Sequence, residues 1–318
     1  MNKTLFAVAV VSLFFALTAY AFALQEVKIG APTVSFRNYL PVFAAEEGGF
    51  SKQNDVKLEW TPLRGGPTLN AAVAAGHIKI AISISSTILL GAQGGLPVII
   101  VARVIDKGDY LMWTRTDSRF QAVQDLKGAL LGVHSLGSTS HAYSRMVVKA
   151  AGLEKDVKFA GTGGIREVVG ALLAGAVDVA AGYNYSNFVK AVLEGKVRPI
   201  VNISDYMPDD WIDNAVYTHR DFARTNPELV RRVVRSIAQG INYTKKNRQW
   251  GISKIILMEN LSEKEAALAF DYDARYTADP RLTDKGLENV ISFLAEYKII
   301  DRAKLPPTEA LFTNRFLE

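Results

Sequence analysis

Two nine-residue stretches, VAAGHIKIA at residues 73–81 and LLAGAVDVA at residues 172–180, share one pattern. Each begins with the small and apolar residues of a helix end, continues with a Gly suited to a left-handed cap, and ends in a buried strand. Turns of this kind occur throughout α/β proteins, so the likeness alone is compatible with chance. Together with the strand and helix order around it, the repeat favours two related α/β lobes.

Strand and helix patterns alternate on both sides of the two stretches. In the first part of the chain, strands are predicted at 27–30, 56–60, 78–82 and 98–104, with helices at 39–47, 68–75 and 86–93. In the second part, strands are predicted at 110–114, 130–133, 157–160, 177–180, 197–203 and 214–218, with helices at 138–151, 165–174 and 187–194. The β-branched run at 98–104 is typical of a strand covered on both faces. This α/β order with short connections predicts mostly parallel sheets flanked by helices.

The remainder of the chain is predicted to be helical. Apolar residues from Leu229 to Ile241 fall on one helical face, and Ser262 to Glu265 fit a capping box. We expect the chain to cross to a second lobe near 104–110 and to return near 203–213. Residues 24–106 and 206–318 then form the first lobe, and residues 107–205 form the second.

Composition excludes several classes of protein. The chain has 318 residues, 49% hydrophobic and 22% charged, which is enough for two domains that each bury a core. It has no Cys, so disulfide scaffolds, thiolate metal sites and cysteine nucleophiles are excluded. The formal net charge of +5 is spread along the chain, without a stripe of Lys and Arg interleaved with aromatic residues. A nucleic-acid partner is therefore not expected.

The N-terminus has the features of a secretory signal peptide. Lys3 precedes an apolar run from Leu5 to Leu17, and Ala21 and Ala23 provide a small-x-small end. Residues 1–23 are predicted to be removed by cleavage before Leu24, so the mature protein is expected to be exported. The alternative is an uncleaved membrane anchor, because the apolar stretch approaches the length that spans a bilayer.

Motifs for catalysis or metal binding do not occur. His77, His134, His141 and His219 are isolated and lack ligand spacing. There is no nucleophile elbow, no phosphate-binding glycine loop and no dinucleotide fingerprint. Neither a metal nor another cofactor is predicted, and the sequence gives no positive support for an enzyme.

Loops rich in hydroxyl, glycine and amide residues follow strand after strand and open helices. They lie at residues 30–39, 63–68, 83–87, 134–140, 161–164 and 181–185, and include Gly65, Gly66 and Gly163. A helix N-terminus presents free N–H groups and a partial positive charge, which suit an anion. In open α/β sheets such loops gather where ligands bind. Each loop taken alone is also explained as an ordinary N-cap.

Several of these segments resemble a known family in their order and spacing. They are Ser35 to Tyr39 leading into 44–50, Asp125-Leu126-Lys127-Gly128 before 131–133, Gly137-Ser138-Thr139, and Ala174 to Asp178. The chain is similar, over most of residues 26–250, to the periplasmic substrate-binding proteins of ABC importers for nitrate, taurine and alkanesulfonates. Relatives of that group bind thiamine-pyrimidine precursors. The resemblance implies a type II periplasmic binding protein fold, with two lobes and a ligand cleft between them. Together with the predicted signal peptide, it implies a periplasmic location.

The resemblance also implies which residues face the cleft. Carried over by position they are Ser35, Phe36, Arg37, Asn38, Tyr39, Ser85, Ser86, Thr87, Gly137, Ser138, Thr139, Tyr183 and Asn184. Two departures affect this assignment: no Pro follows Tyr183, and Lys79 stands where an Asp is common. The lack of Cys argues against the activity of related pyrimidine synthases.

The expected function is therefore solute binding without catalysis. A small anionic ligand such as a sulfonate, carboxylate or nitrate would be held by helix N-termini and by Arg37 or Arg64, with Phe36, Tyr39 and Tyr183 stacking on an organic body. Arg37 is equally consistent with a surface position. The closed protein, a monomer, would then be recognised by a membrane permease. The alternatives are a ligand sensor for a membrane receptor and an exported enzyme on the same fold.

Overall fold

The protein has two five-stranded sheets. The computed structural model describes residues 24–32, 37–108, 110–273 and 275–318, so the predicted signal peptide lies outside the described residues. The strands are β1 (Gln25–Ala31), β2 (Val56–Pro62), β3 (Ile80–Ile84), β4 (Val98–Ile105), β5 (Leu111–Arg115), β6 (Leu130–Val133), β7 (Lys158–Gly161), β8 (Val179–Tyr183), β9 (Val197–Asn202) and β10 (Asn214–His219).

Helices cover the sheets and make up most of the chain after β10. They are α1 (Leu40–Glu47), α2 (Phe50–Gln53), α3 (Gly66–Ala74), α4 (Ser85–Gln93), α5 (Thr139–Ala150), α6 (Ile165–Leu173), α7 (Val189–Leu193), α8 (Arg220–Thr225), α9 (Pro227–Lys246), α10 (Arg248–Glu259), α11 (Glu263–Asp273) and α12 (Asp284–Glu296). Within the described ranges, no helix is both long and apolar enough to cross a membrane.

The two sheets have the same topology. The first has the order β2-β1-β3-β10-β4 and the second the order β7-β6-β8-β5-β9. In each sheet four strands run in one direction, and one strand lies antiparallel between two of them. We call the parts built on these sheets the first and the second lobe. The prediction of two α/β lobes with mostly parallel sheets is confirmed.

The chain passes twice between the lobes. It leaves the first sheet at Ile105 to begin β5, and it leaves the second sheet at Asn202 to begin β10. Asn214, the first residue of β10, pairs with Ile84 and Ile105, which are the last residues of β3 and β4. Leu111, at the start of β5, likewise pairs with the last residues of β8 and β9. The starts of both antiparallel strands therefore lie at the edge where the parallel strands end.

The two repeated stretches occupy equivalent places in the two sheets. The first connects α3 to β3 and the second connects α6 to β8. Gly76 and Gly175 both have φ of +72°, and their N–H groups donate to Val73 O and Leu172 O at 3.0 and 3.1 Å. The left-handed glycine thus ends both helices in the same way.

The apolar core is continuous between the lobes on one side of the molecule. β4 is buried at every position, as its β-branched sequence predicts. A large cluster contains residues from both lobes, and Tyr143 and Trp211 both contact the Phe293 ring of α12, at centroid distances of 5.3 and 5.4 Å. Helix α12 therefore packs against the second crossing through Trp211 and against α5 of the second lobe through Tyr143.

Candidate functional site

The first turns of α4 and α5 meet between the lobes. Thr139, the first residue of α5, donates from Oγ1 to Ser86 Oγ in α4 at 3.5 Å. Ser86 is buried and Thr139 is half-buried. The fold thus brings together two groups of predicted site residues, 85–87 and 137–139, one from each lobe.

The two helix starts differ in how their polar groups are satisfied. Ser138 caps α5: its Oγ accepts from His141 N at 3.4 Å and donates to Ser135 O at 2.7 Å. No side chain caps α4, because its N-cap residue is Ile84, which has no polar group; the hydroxyl of Ser85, the first helical residue, donates to Ile212 O at 2.6 Å. The first turn of α4 therefore has no side-chain cap on its N–H groups, whereas that of α5 is capped and contributes hydroxyl groups.

A buried carboxylate lies directly behind this contact. Asp213 is 3% exposed, and its backbone oxygen accepts from Ser85 N at 2.8 Å. Its side chain accepts from Tyr110 OH at 3.3 Å, from Tyr143 OH at 3.4 Å and from Asn214 Nδ2 at 2.8 Å. Burial raises the pKa of Asp213 to about 6, although these three hydrogen bonds act in the opposite direction.

Tyrosine rings surround the carboxylate. Burial and the nearby Asp213 raise the pKa of Tyr110 and of Tyr143 well above 10, so both hydroxyls stay protonated and donate. The two rings lie 4.8 Å apart. Tyr39 is also buried; its ring lies 4.7 Å from that of Trp60, and its pKa is raised by burial and by Asp213. Tyr39, one of the predicted aromatic residues whose side chain the structure describes, thus lies beside this group.

The remaining predicted residues of the first and last loops are only partly described. Ser35 and Phe36 lie outside the described residues, as do the side chains of Arg37 and Tyr183. Asn38 is half-buried in the turn before α1. Asn184 is half-buried and immediately precedes a short turn of 3-10 helix.

The predicted glycines and Thr87 shape the walls around the contact. Gly65 has φ of +87° and donates to Pro32 O at 3.0 Å, so it lies beside the segment that follows β1. A Cβ on Gly66 would lie 2.7 Å from Thr87 Cγ2, so Thr87 packs against α3. Gly163, in the second lobe, donates to His134 O at 2.8 Å and ties two loops together. None of these three contacts reaches the opposite lobe.

Tyr110, Tyr143, Asp213 and Asn214 are not among the predicted site residues. The predicted residues lie in loops that follow strands, whereas Tyr110 and Asp213 precede the antiparallel strands β5 and β10. Tyr143 lies one turn inside α5, four residues after Thr139. Asp213 and Asn214 could have been identified as a polar pair between Ile212 and Ala215 in an apolar segment.

Metal binding and histidine catalysis are not supported by the described residues. No group of three His, Asp or Glu side chains among them could hold a metal ion. Gly137 N donates to His141 Nδ1 at 2.9 Å, and burial lowers the pKa of His141. This histidine is therefore neutral near pH 7 and supports the loop before α5.

The fold is shared with solved structures. The periplasmic aliphatic sulphonate binding protein SsuA from Escherichia coli has a TM-score of 0.77 at 17% identity, covering 91% of this chain and 92% of that one. The Candida albicans CA3427 gene product, described as having the generic periplasmic binding protein fold, has a TM-score of 0.69 at 17% identity, with 92% and 97% covered. The desulfurization enzyme DSZB has a TM-score of 0.64 at 15% identity, again with 92% and 97% covered. The protein therefore has the two-lobed periplasmic binding protein fold.

Its family is identified by sequence. Residues 37–249 match the family described as NMT1/THI5 like. This match includes more than half of the chain, and the protein belongs to that family. Among curated proteins, none matches the chain significantly.

Proposed function

We propose that this protein is an extracytoplasmic solute-binding protein that captures a small ligand between its lobes and delivers it to an ABC permease. The observation that carries the proposal is the contact between Ser86 and Thr139, which joins helix starts from opposite lobes. The resemblance of the fold to the periplasmic sulphonate-binding protein of E. coli supports it. The lobes comprise residues 24–106 with 206–318, and residues 107–205.

The ligand acts by favouring the closed arrangement. A molecule that touches both helix starts is bound more tightly when the lobes are together, and this difference in affinity drives closure. The uncapped start of α4 offers backbone N–H groups and a positive dipole end, while Ser86 and Thr139 add hydroxyl donors. An oxyanion such as a sulfonate, carboxylate or nitrate group matches these donors.

Binding is proposed rather than catalysis, although DSZB shows that an enzyme can have this fold. The neutral His141 is occupied by Gly137 N–H, and the Ser138 hydroxyl donates to Ser135 O. Neither residue is arranged as a base paired with a nucleophile. The partners we propose are therefore a small molecule and a membrane permease, with a monomeric protein acting between them.

A thermal-shift and calorimetry panel tests the proposal. Nitrate, acetate, ethanesulfonate, benzoate and taurine serve as probes, and a probe at 100 times its dissociation constant should add about 2.7 kcal/mol to stability. The double variant Ser86→Ala with Thr139→Val should weaken binding at least tenfold. Ser253→Ala, whose hydroxyl donates to Trp250 O in α10, is the matched control and should bind like the wild type.

The role of the bound protein is tested separately. Liganded protein should stimulate ATP hydrolysis by its transporter in liposomes. Stimulation of a receptor kinase without uptake would favour a sensor, and turnover of a probe would favour an enzyme. Absence of saturable binding across the panel contradicts the proposal of an oxyanion ligand.

A further inference from the structure

Two buried acceptors at the start of β10 lack strong donors. Asp213 and Asn214 are 3% and 0% exposed. In the part of the chain that the structure describes, no Lys, Arg or His side chain forms an ion pair with Asp213, and no donor lies within hydrogen-bond distance of Asn214 Oδ1. Asn214 Nδ2 is committed to the carboxylate at 2.8 Å, which fixes Oδ1 as the unpartnered atom of that amide.

The tyrosines satisfy the carboxylate only in part. Their hydroxyls lie 3.3 and 3.4 Å from it, whereas O–H donors to an ionised carboxylate typically lie at about 2.5–2.7 Å. A carboxylate has about four lone-pair positions, and its two oxygens here receive one short bond. A buried carboxylate without a cation or strong donors is costly. The group is thus built to accept further N–H donors.

The acceptors lie beside the place where the lobes meet. Ser85, whose N–H donates to Asp213 O, immediately precedes Ser86. Tyr143, which donates to the Asp213 side chain, lies one helical turn after Thr139. The carboxylate is therefore held between the α4 start of the first lobe and the α5 start of the second. A ligand held between Ser86 and Thr139 would lie next to it.

We infer that Asp213 and Asn214 select ligands that carry a basic nitrogen with at least two N–H groups, an ammonium or an amidinium. This inference rests on the proposed function and deepens it. The nitrogen donates to the Asp213 carboxylate and to Asn214 Oδ1, while the polar or anionic end of the ligand takes the N–H groups of α4. A simple oxyanion of the same size places no donor on these acceptors and adds a like charge beside a buried carboxylate.

Isosteric probe pairs test the inference in the wild-type protein. The pairs are 3-aminopropane-1-sulfonate with butane-1-sulfonate and β-alanine with butyrate, in which a methyl group replaces the ammonium. Calorimetry at pH 7.5 should show at least tenfold tighter binding of the nitrogen-bearing member of a pair. Because this comparison needs no variant, it does not depend on whether a substituted protein folds.

Substitutions then assign the preference to Asp213. Asp213→Asn should abolish it, whereas Asp209→Asn, an exposed residue of the same crossing, should keep it. Equal or tighter binding of the methyl member overturns the inference and leaves the proposed function standing. The same conclusion follows if both pairs fail while amine-free anions of the first panel bind. Failure of every probe in both panels overturns the inference together with the oxyanion form of the proposed function.

Discussion

The two lobes share a strand order but build their edge at the cleft differently. Positions 83 and 182 are equivalent, since each lies two residues beyond its repeated stretch. In the first lobe the position is Ser83, buried in β3. In the second it is Gly182 with φ of +84°, and a Cβ there would lie 2.8 Å from Ser140 Cα. The first turn of α5 thus rests directly on β8.

This difference shows how one topology gives an asymmetric site. In the first lobe the helix that reaches the cleft is α4, which follows β3 without a loop. In the second lobe it is α5, which follows β6 after a loop and crosses the end of β8. The glycine makes that crossing possible, because any side chain at position 182 would displace the helix backbone.

Of the predicted changes in stability, we expect the largest from placing at positions 83 and 182 the residue of the other lobe. Gly182→Ser combines an unfavourable backbone conformation with a clash against Ser140, and we expect a loss of roughly 3–4 kcal/mol. The reciprocal Ser83→Gly should cost only about 1 kcal/mol, through backbone entropy in a strand. Urea unfolding of both variants measures the difference. Equal losses would contradict the asymmetry between the lobes.

Substitution of Asp213 should raise the stability of the unliganded protein although it removes the proposed ligand preference. Its pKa is raised from 3.8 to about 6, so the carboxylate destabilises the folded protein as the pH rises from about 4 to 6. The facing groups Tyr39, Tyr110 and Tyr143 do not titrate in this window. Without ligand, Asp213→Asn should be more stable at pH 7.5 by roughly 3 kcal/mol. Thermal unfolding at several pH values should show this gain shrinking toward zero at pH 4; a gain independent of pH would contradict the assignment.

Replacing the glycine of either repeated cap with alanine should reduce stability by the same amount. Gly76 and Gly175 share the same φ, so Gly76→Ala and Gly175→Ala should each cost about 1–2 kcal/mol. The nearest side-chain atoms to an added Cβ are Lys79 Nζ at 3.3 Å and Arg115 Nη1 at 3.4 Å, both at the ends of flexible chains. Chemical denaturation tests the pair. Clearly different losses of stability in the two variants would show that the two turns share a backbone shape but not an energetic role.

Substitutions at the first turns of α4 and α5 should change the stability of the protein least. Ser138→Ala removes the cap of α5 and should cost about 1 kcal/mol. At the start of α4, Thr87→Val removes no cap and should change stability by less, because that helix has no side-chain cap. Thermal unfolding compares the two variants. A larger loss at Thr87 would mean that its packing against Gly66 matters more than capping.

Local patterns in the sequence were sufficient for most strands, for the glycine caps and for the Ser262–Glu265 capping box. In that box Ser262 N donates to Glu265 Oε2 at 2.8 Å and Glu265 N donates to Ser262 Oγ at 3.3 Å. Helix α10 received no assignment of its own, because its apolar residues do not form one stripe; Gly251 packs against the Phe270 ring instead. Such a contact depends on tertiary structure.

The candidate site was predicted only in part for a related reason. Residues 85–87 and 137–139 have local signals, since hydroxyl residues open both helices. Asp213 enters the site because β10 pairs antiparallel with β3 and β4, strands that end more than a hundred residues earlier. Pairing at that separation leaves no periodicity in the sequence. The strand direction, and with it the position of the carboxylate, therefore became evident only in the fold.

The insertion of β10 between β3 and β4 also sets an order of events during folding. The second sheet is built entirely from residues 111–202, so its pairings close comparatively short loops. The first sheet stays open between β3 and β4 until residues 214–219 become available. Non-local pairing is slow, and unpaired strand edges invite association with other chains. A chain that emerges N-terminus first thus completes its second lobe while two apolar edges of the first are still exposed, the stage at which a chaperone would protect it most.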